Sequence, residues 1–426
     1  MKNLFVFAGI AAMAAATFGD DPQVGAPRLI STTTSGVYTF GYTLTGAPGI
    51  VTFDVTTNGV SIGPQSCVAG TINELLQPGE TEHVFTWRAG GNMTADVLAA
   101  AEFRLVVWPT NSPPDYLVID IGAKTEPNRY YVSAKHLPNG GLANRIYATD
   151  FLVMRKIPAA GVTWYMGSDS TTDTTRYSNE NRHLVTLTSD YWFSIYPVTK
   201  RQYLNMGGDS SFSNSMRIKL DCQDHPIAGF TQSSSSSLKN TLRGSPDEGI
   251  NWPITGTNVL ATSVIGRFRA ATGILFDLPT EAQWEYACRA GTGTAMYDGS
   301  TTVTSENANR MATYGGNSKS PEYLDGNGNP ANAATPVGIR EPNAWGIYDM
   351  YGQVWESCLD WYQVTLTDET DPKGPSVEDP KAGTHGRVRK GGCFLSAVEA
   401  LRSAYRDQHG SGSDFGVRIV CPLGLK

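Results

Sequence analysis

The chain has 426 residues, a formal net charge of −7, only 17% charged residues and as many as 45 glycines. That length is too great for one ordinary core and asks for two or three domains. The lack of a basic stripe argues against a nucleic-acid surface, and the wealth of Gly, Thr, Ser, Asn and Tyr argues against a helical bundle and for a loop-rich, strand-rich protein.

Taken in chain order, Lys2 is followed by an apolar run from Leu4 to Ala16 that ends in small residues. This is the pattern of a secretory signal, expected over residues 1–19, and too short to span a bilayer comfortably. The expectation is therefore a secreted, periplasmic or cell-surface protein with no membrane span. Six cysteines follow, Cys67, Cys222, Cys288, Cys358, Cys393 and Cys421. Export permits disulfides, but wide spacings without a CxxC pair leave the pairing open and speak against zinc.

Residues 20–127 read as a β-domain. Val37–Phe40, Gly41–Leu44 and Ile50–Val55 alternate large apolar with small or polar residues, and Asn58-Gly59 before Val60-Ser61-Ile62 predicts a tight hairpin. Further strands are expected at His83–Trp87, Phe103–Trp108 and Tyr116–Ile121, with turns at Pro78-Gly79, Gly90-Gly91 and Pro113-Pro114. Short strands at such spacing predict a β-sandwich of immunoglobulin or fibronectin type, a spacer or adhesive module. Residues 128–156 read as a connector with its turn at Pro138-Asn139-Gly140-Gly141. Ser168–Thr175 and the serine run Ser233–Ser237 read as surface loops.

From residue 157 to 426 the texture changes to local aromatic motifs. Gly161-Val162-Thr163-Trp164-Tyr165-Met166-Gly167-Ser168 comes first, then Leu278-Pro279-Thr280-Glu281-Ala282-Gln283-Trp284-Glu285-Tyr286-Ala287-Cys288-Arg289-Ala290-Gly291. The second predicts a helix. Thr280 is its N-cap and Gln283 completes a capping box. Trp284, Ala287 and Cys288 form the apolar face, and Gly291 is its end. Glu281 suits the positive end of the helix dipole; nothing in the sequence marks Glu281 and Glu285 as an acid/base pair. Next come Pro342-Asn343-Ala344-Trp345-Gly346-Ile347-Tyr348-Asp349-Met350-Tyr351-Gly352-Gln353-Val354-Trp355-Glu356 and Cys358-Leu359-Asp360-Trp361-Tyr362. The last cluster is Arg387 to Gly392, Arg402-Ser403-Ala404-Tyr405-Arg406 and Phe415-Gly416-Val417-Arg418.

In order and spacing these clusters resemble the formylglycine-generating enzyme, or sulfatase-modifying factor, family over about Ile157 to Val420. The resemblance implies an irregular α+β fold related to C-type lectins. It also implies an oxidase that converts a sulfatase cysteine to formylglycine with copper(I) held by two cysteines. Thiolates are the soft ligands copper(I) needs. Aligned from Gly391-Gly392, the two cysteine positions are Ser396 and Leu401, so copper is not expected. Cys393, where the family has serine, has three readings: a disulfide half with Cys421 or Cys358, a buried free thiol, or a displaced metal or redox ligand. Trp355, Cys393, Arg402 and Arg406 would lie at the groove, although Arg402, Arg406 and Arg418 also match arginines of the family scaffold. Gln353 and Ser357 replace a typical Asn and Trp.

The resemblance further implies structural calcium, with Asp349 and Glu356 side chains and Gly352 and Val354 carbonyls as ligands, and a looser second site at Asn309 and Asp325. The histidines His83, His136, His183, His225, His385 and His409 make no HxxxH or HExxH pattern that would suit iron. The reading that follows is a non-oxidase binding or structural module for an extracellular peptide, protein or glycan. Its competitor is a formylglycine-generating oxidase with a rearranged site, and an accessory that binds the sulfatase peptide without oxidising it lies between.

Overall fold

The computed structural model describes residues 21–426 except 64–67, 80, 90–92, 172, 174, 210–221, 231–240, 245–258, 377–378, 380, 382–385, 410–411, 413 and 426. The readings of residues 1–19, Cys67, Gly90-Gly91, Ser233–Ser237 and His385 lie outside the described residues. The chain divides into two compact units, 1–147 and 148–426. The stretch read as a connector carries the strands Arg129–Tyr131 and Phe151–Ile157 and two short 3-10 turns.

The first unit contains two four-stranded sheets. In one, Gly49–Thr57 lies between Ala101–Pro109 on one side and Val60–Ser61 and Glu74–Leu76 on the other. In the other the order is Arg28–Thr32, Val37–Tyr42, His83–Arg88, Val68–Gly70, antiparallel throughout. The expected hairpin is present. Thr57 pairs with Val60, and Asn58 (φ 50°) and Gly59 (φ 76°) take the left-handed conformations that a two-residue turn demands. Side chains from both sheets share one aromatic core. Phe53 lies 5.0 Å from Phe85, and Phe40 5.1 Å from Phe103, ring centre to ring centre. Burying such rings is the main favourable term for a strand-rich unit of this size. His136 closes the end of the unit: one ring nitrogen meets Ser133 Oγ at 2.9 Å and the other Asp54 Oδ1 at 3.1 Å.

The second unit has short elements joined by glycine turns. Phe151–Ile157, Tyr191–Ser194 and Val420–Pro422 pair antiparallel. Trp355–Trp361 pairs antiparallel with Arg387–Lys390 and parallel with Phe415–Gly416. Val162–Met166 pairs with His183–Leu187, which also takes Glu369–Thr370 in parallel. The Glu281–Arg289 helix crosses the core. Its capping box of Thr280 and Gln283 is formed, and Trp284, Ala287 and Cys288 are fully buried. The left-handed residue that ends it is Ala290 (φ 47°), one position before the expected Gly291, which is itself at φ 93°.

Both glutamates of this helix are buried among cations. Glu281 is clasped by Arg406 at 2.7 and 2.6 Å, and Glu285 by Lys390 at 3.0 Å and Arg289 at 2.8 Å. Glu281 is therefore an ion-pair partner in the core, where the sequence suggested only a helix-dipole role. Burial works against the Glu285 anion, but Lys390 and Arg289 outweigh it and hold its carboxyl down to about 2. Ser168 and Asp173, read as part of a surface loop, are also buried, because Asp173 reaches Arg402 at 3.1 Å.

Candidate functional site

The Arg387–Lys390 strand delivers the chain to Gly391 (φ 88°) and Gly392 (φ 78°). Two successive left-handed residues turn it sharply, and glycine takes them at least cost. A Cβ on Gly391 would stand 3.0 Å from the Met350 carbonyl. One on Gly392 would stand 3.1 Å from Leu401 Cδ2 and 3.4 Å from Ser396 Oγ. Ser396 and Leu401, the positions implied for two cysteines, thus converge on Gly392. Leu401 is fully buried and Ser396 partly exposed.

Ser396 is committed to the turn: its Oγ accepts from the Cys393 amide at 2.9 Å, and its own amide donates to the Cys393 carbonyl at 2.9 Å. Cys393 is a free thiol, as are Cys358 and Cys421, so the disulfide reading is corrected. Its Sγ donates to Asp414 Oδ2 at 3.2 Å and accepts from the Leu395 amide at 3.4 Å. Burial, reinforced by the Asp414 carboxylate, pushes this thiol up to about 12. It is thus protonated at neutral pH and a weak metal ligand there. Trp355 and Phe415 pack around it, and the Arg389 guanidinium lies 4.2 Å above the Trp355 ring.

Arg402 and Arg406, read as scaffold arginines with groove contact as the alternative, are buried scaffold residues. Arg402 forks onto Glu180 and also meets Asp173. Arg406 forks onto Glu281 and donates to the Gln363 carbonyl at 2.7 Å. Their charges are satisfied internally, the condition under which guanidinium can be buried at all. Of the four expected groove residues, the structure brings together Trp355 and Cys393.

The oxygens implied for calcium differ in how far they are already engaged. Glu356 has both oxygens on Arg418 Nε, at 2.9 and 2.8 Å, and one also accepts from Trp284 Nε1 at 2.5 Å. Asp349 sits at φ 54° with Oδ2 accepting from the Gly338 amide at 2.6 Å, while its buried Oδ1 has no partner among the described residues. Burial pushes the Asp349 carboxyl up to about 6, the response of an acid facing too little positive charge. Gly352 (φ 75°) donates its amide to the Gly391 carbonyl at 2.8 Å, and a Cβ there would overlap the Thr313 backbone. Val354 is buried against Ala228 and Phe394. Calcium takes six to eight oxygens, waters included; of the two implied side chains, Glu356 is engaged by Arg418 and Trp284, while Asp349 Oδ1 has no partner among the described residues. At the looser site, Asn309 Oδ1 accepts from Asn317 at 3.0 Å, and Asp325 Oδ1 caps its own turn through the Asn327 and Asn329 amides. Among the described residues no group of three or more His, Cys, Asp or Glu side chains is placed to hold a metal ion, and no helix is long and apolar enough to cross a membrane.

Sequence reasoning missed Asp360, a buried acid of the same region. It accepts from the Glu281 amide at 2.7 Å, and burial together with the Glu281 carboxylate pushes it up to about 7. Glu281 at the N-terminus of the helix was the available signal, since a second acid in contact with it must titrate late.

Three comparisons with known proteins bear on this arrangement. The chain is 28% identical over 279 residues to the chaperone protein LppX of Paenibacillus barcinonensis, covering 58% of this chain and 85% of that one. It is 36% identical over 135 residues to a formylglycine-generating enzyme of Thermomonospora curvata, covering 30% of this chain and 41% of that one, so that match spans less than half of the relative. Among solved structures, Treponema denticola variable protein 1 aligns with a TM-score of 0.43 at 22% identity, over 64% of this chain and 95% of that one. The family model of the sulfatase-modifying factor enzyme 1-like domain matches residues 154–423, well over half of the chain. The chain belongs to the sulfatase-modifying factor enzyme 1-like family.

Proposed function

We propose that this protein is an exported binding module that uses the sulfatase-modifying fold without copper-dependent oxidation. One observation carries the reading. The two positions that converge on Gly392 are Ser396 and Leu401, which supply no thiolate, and the nearest thiol, Cys393, is buried and protonated at neutral pH. Copper(I) requires soft, deprotonated sulfur, and one thiol held by Asp414 is no substitute for two free ones. The apolar run after Lys2 supports export. The first unit, two sheets on a shared aromatic core, supports an immunoglobulin- or fibronectin-like spacer that presents the second unit to an extracellular peptide, protein or glycan.

The test is mass spectrometry of a Cys-x-Pro-x-Arg peptide incubated with the purified protein, oxygen, copper and a thiol reductant. The expected result is an unmodified peptide beside a control enzyme that converts it. Formation of formylglycine would establish the oxidase reading instead. Tight binding of the unmodified peptide would select the accessory role.

A further inference from the structure

A strap, residues 363–374, crosses over the buried acid Asp360. The contact is direct: a Cβ on Gly374 (φ 67°) would stand 2.9 Å from Asp360 Cβ. Between them lies a cavity of about 20 Å³ whose walls include Asp360, Glu281, His183, Leu366 and Glu369, room for one water. Asp371, Pro372 and Lys373 of the strap also line a hollow of about 340 Å³, together with Leu187, Leu278 and Val420.

The strap is lightly held. Residues 364–370 are exposed apart from the partly buried Leu366. Its anchors are hydrogen bonds: the Leu184 amide to Asp368 Oδ1 at 2.7 Å, the Asp371 amide to the Thr186 carbonyl at 2.8 Å, and Arg406 to the Gln363 carbonyl at 2.7 Å. A segment with so few buried apolar contacts opens locally at low cost. Asp360 beneath it is enclosed, and its Oδ2 accepts from the Glu281 amide at 2.7 Å. The charged and titratable groups around it are Glu281, Arg406, Lys390, His183, Glu369 and, on its own strand, Cys358. The cations are already committed, Arg406 to Glu281 at 2.6 Å and Lys390 to Glu285 at 3.0 Å and Glu281 at 3.6 Å. His183 donates its Nδ1 proton to the Asn181 carbonyl at 2.8 Å. An Asp360 anion under the closed strap therefore finds only a cation that Glu281 already uses, and burial together with Glu281 holds its carboxyl up at about 7.

We propose that the 363–374 strap is a pH-responsive lid, closed while Asp360 carries its proton and released when Asp360 ionises. Release lets water reach the carboxylate, starting from the one-water cavity. In the open state the carboxyl returns to its ordinary 3.8. The closed state holds the proton longer, so the preference for closure is complete below about pH 4. It falls by about tenfold per pH unit up to about pH 7 and is flat above that. Release also takes away one wall of the 340 Å³ hollow, which is complete only while the strap is closed. The lid stands or falls separately from the copper question.

The experiment is hydrogen–deuterium exchange of the full chain read by mass spectrometry from about pH 4.5 to about pH 8.5, corrected for the intrinsic exchange rate. The Glu281–Arg289 helix is the internal reference. Protection of the strap is expected to fall at least tenfold relative to the helix between about pH 4.5 and 7 and then to level off. Asp360→Asn cannot ionise and is expected to keep the strap's protection flat across the range, while His183→Gln keeps the fall. Gly374→Ala, whose Cβ pushes against Asp360, is expected to lower strap protection even in acid and to leave the helix unchanged. Strap protection indifferent to pH, a fall shared equally by the helix, or an unchanged fall in Asp360→Asn overturns the proposal. Should Asp360→Asn not fold, the wild-type comparison of strap with helix decides alone.

Discussion

Arg418 grips Glu356 with its Nε 2.9 and 2.8 Å from the two carboxylate oxygens, while its Nη1 and Nη2 donate to the Ser194 and Tyr348 carbonyls at 2.8 and 2.9 Å. Both side chains are fully buried. Removing one partner leaves the other charge buried and uncompensated, a cost of about 3–5 kcal/mol. Glu356→Ala is therefore expected to lower the unfolding free energy by that order in urea titration. Because the guanidinium already fills the place of a cation at Glu356, the melting temperature of the wild-type protein is expected to be the same in excess calcium and in a chelator. A rise with calcium would show that Asp349 and its neighbouring carbonyls hold the ion without Glu356.

Stability should depend on pH in two opposing ways. Asp349 and Asp360 have carboxyls raised from the ordinary 3.8 to about 6 and about 7, because burial disfavours their anions. The folded state holds their protons longer than the unfolded chain, so stability falls as pH rises from about 4 to about 7. Glu285 is lowered from 4.5 to about 2, and its contribution, present above 4.5, is lost as pH falls toward 2. The maximum is expected in mild acid. Asp360→Asn keeps an acceptor for the Glu281 amide and cannot ionise, so its loss of stability between pH 4 and 7 should be shallower than that of the wild type, measured by calorimetric melts across that range.

Cys393 is expected to resist alkylation. Its thiol is buried beside Asp414 and protonated, and only the thiolate reacts. Mass spectrometry after iodoacetamide should show Cys393 modified in urea and unmodified in the native protein at pH 7. Rapid native modification would indicate an accessible, activated thiol and weaken the binding-module reading.

The convergence of Ser396 and Leu401 on Gly392 makes a gain of function testable. The double substitution S396C and L401C places two thiols where the fold brings the chain together. It is expected to bind about one equivalent of copper(I), read by competition with a chromophoric chelator, where the wild type binds far less. Leu401→Cys opens a gap in the core and should cost about 2 kcal/mol, so thermal melts accompany the titration.

The local signals in the chain were legible because they are local. Asn58-Gly59 can satisfy two left-handed residues and so dictates its hairpin. Thr280 and Gln283, three apart, can cap only the helix that begins between them. The motif order from Gly161 to Arg418 marked the fold of the second unit, and the family model matches 154–423. Arg402 and Arg406 were harder to place. An arginine looks alike in sequence whether it faces a groove or a buried carboxylate, and their partners Glu180 and Glu281 lie more than a hundred residues away.

The sequence by itself determined the turns, the caps, the apolar faces and the absence of cysteine at 396 and 401, since each depends on residue identity or on neighbours within one turn. Only the tertiary structure decided which oxygens are free. Glu356 reads as a calcium ligand in sequence, and only the fold shows that Arg418, 62 positions on, donates to both of its oxygens. The Ser168–Thr175 patch reads as a loop until Asp173 reaches Arg402. Desolvation and ion pairing depend on what surrounds an atom in space, and in a fold built from long-range contacts the neighbours in sequence do not specify that environment.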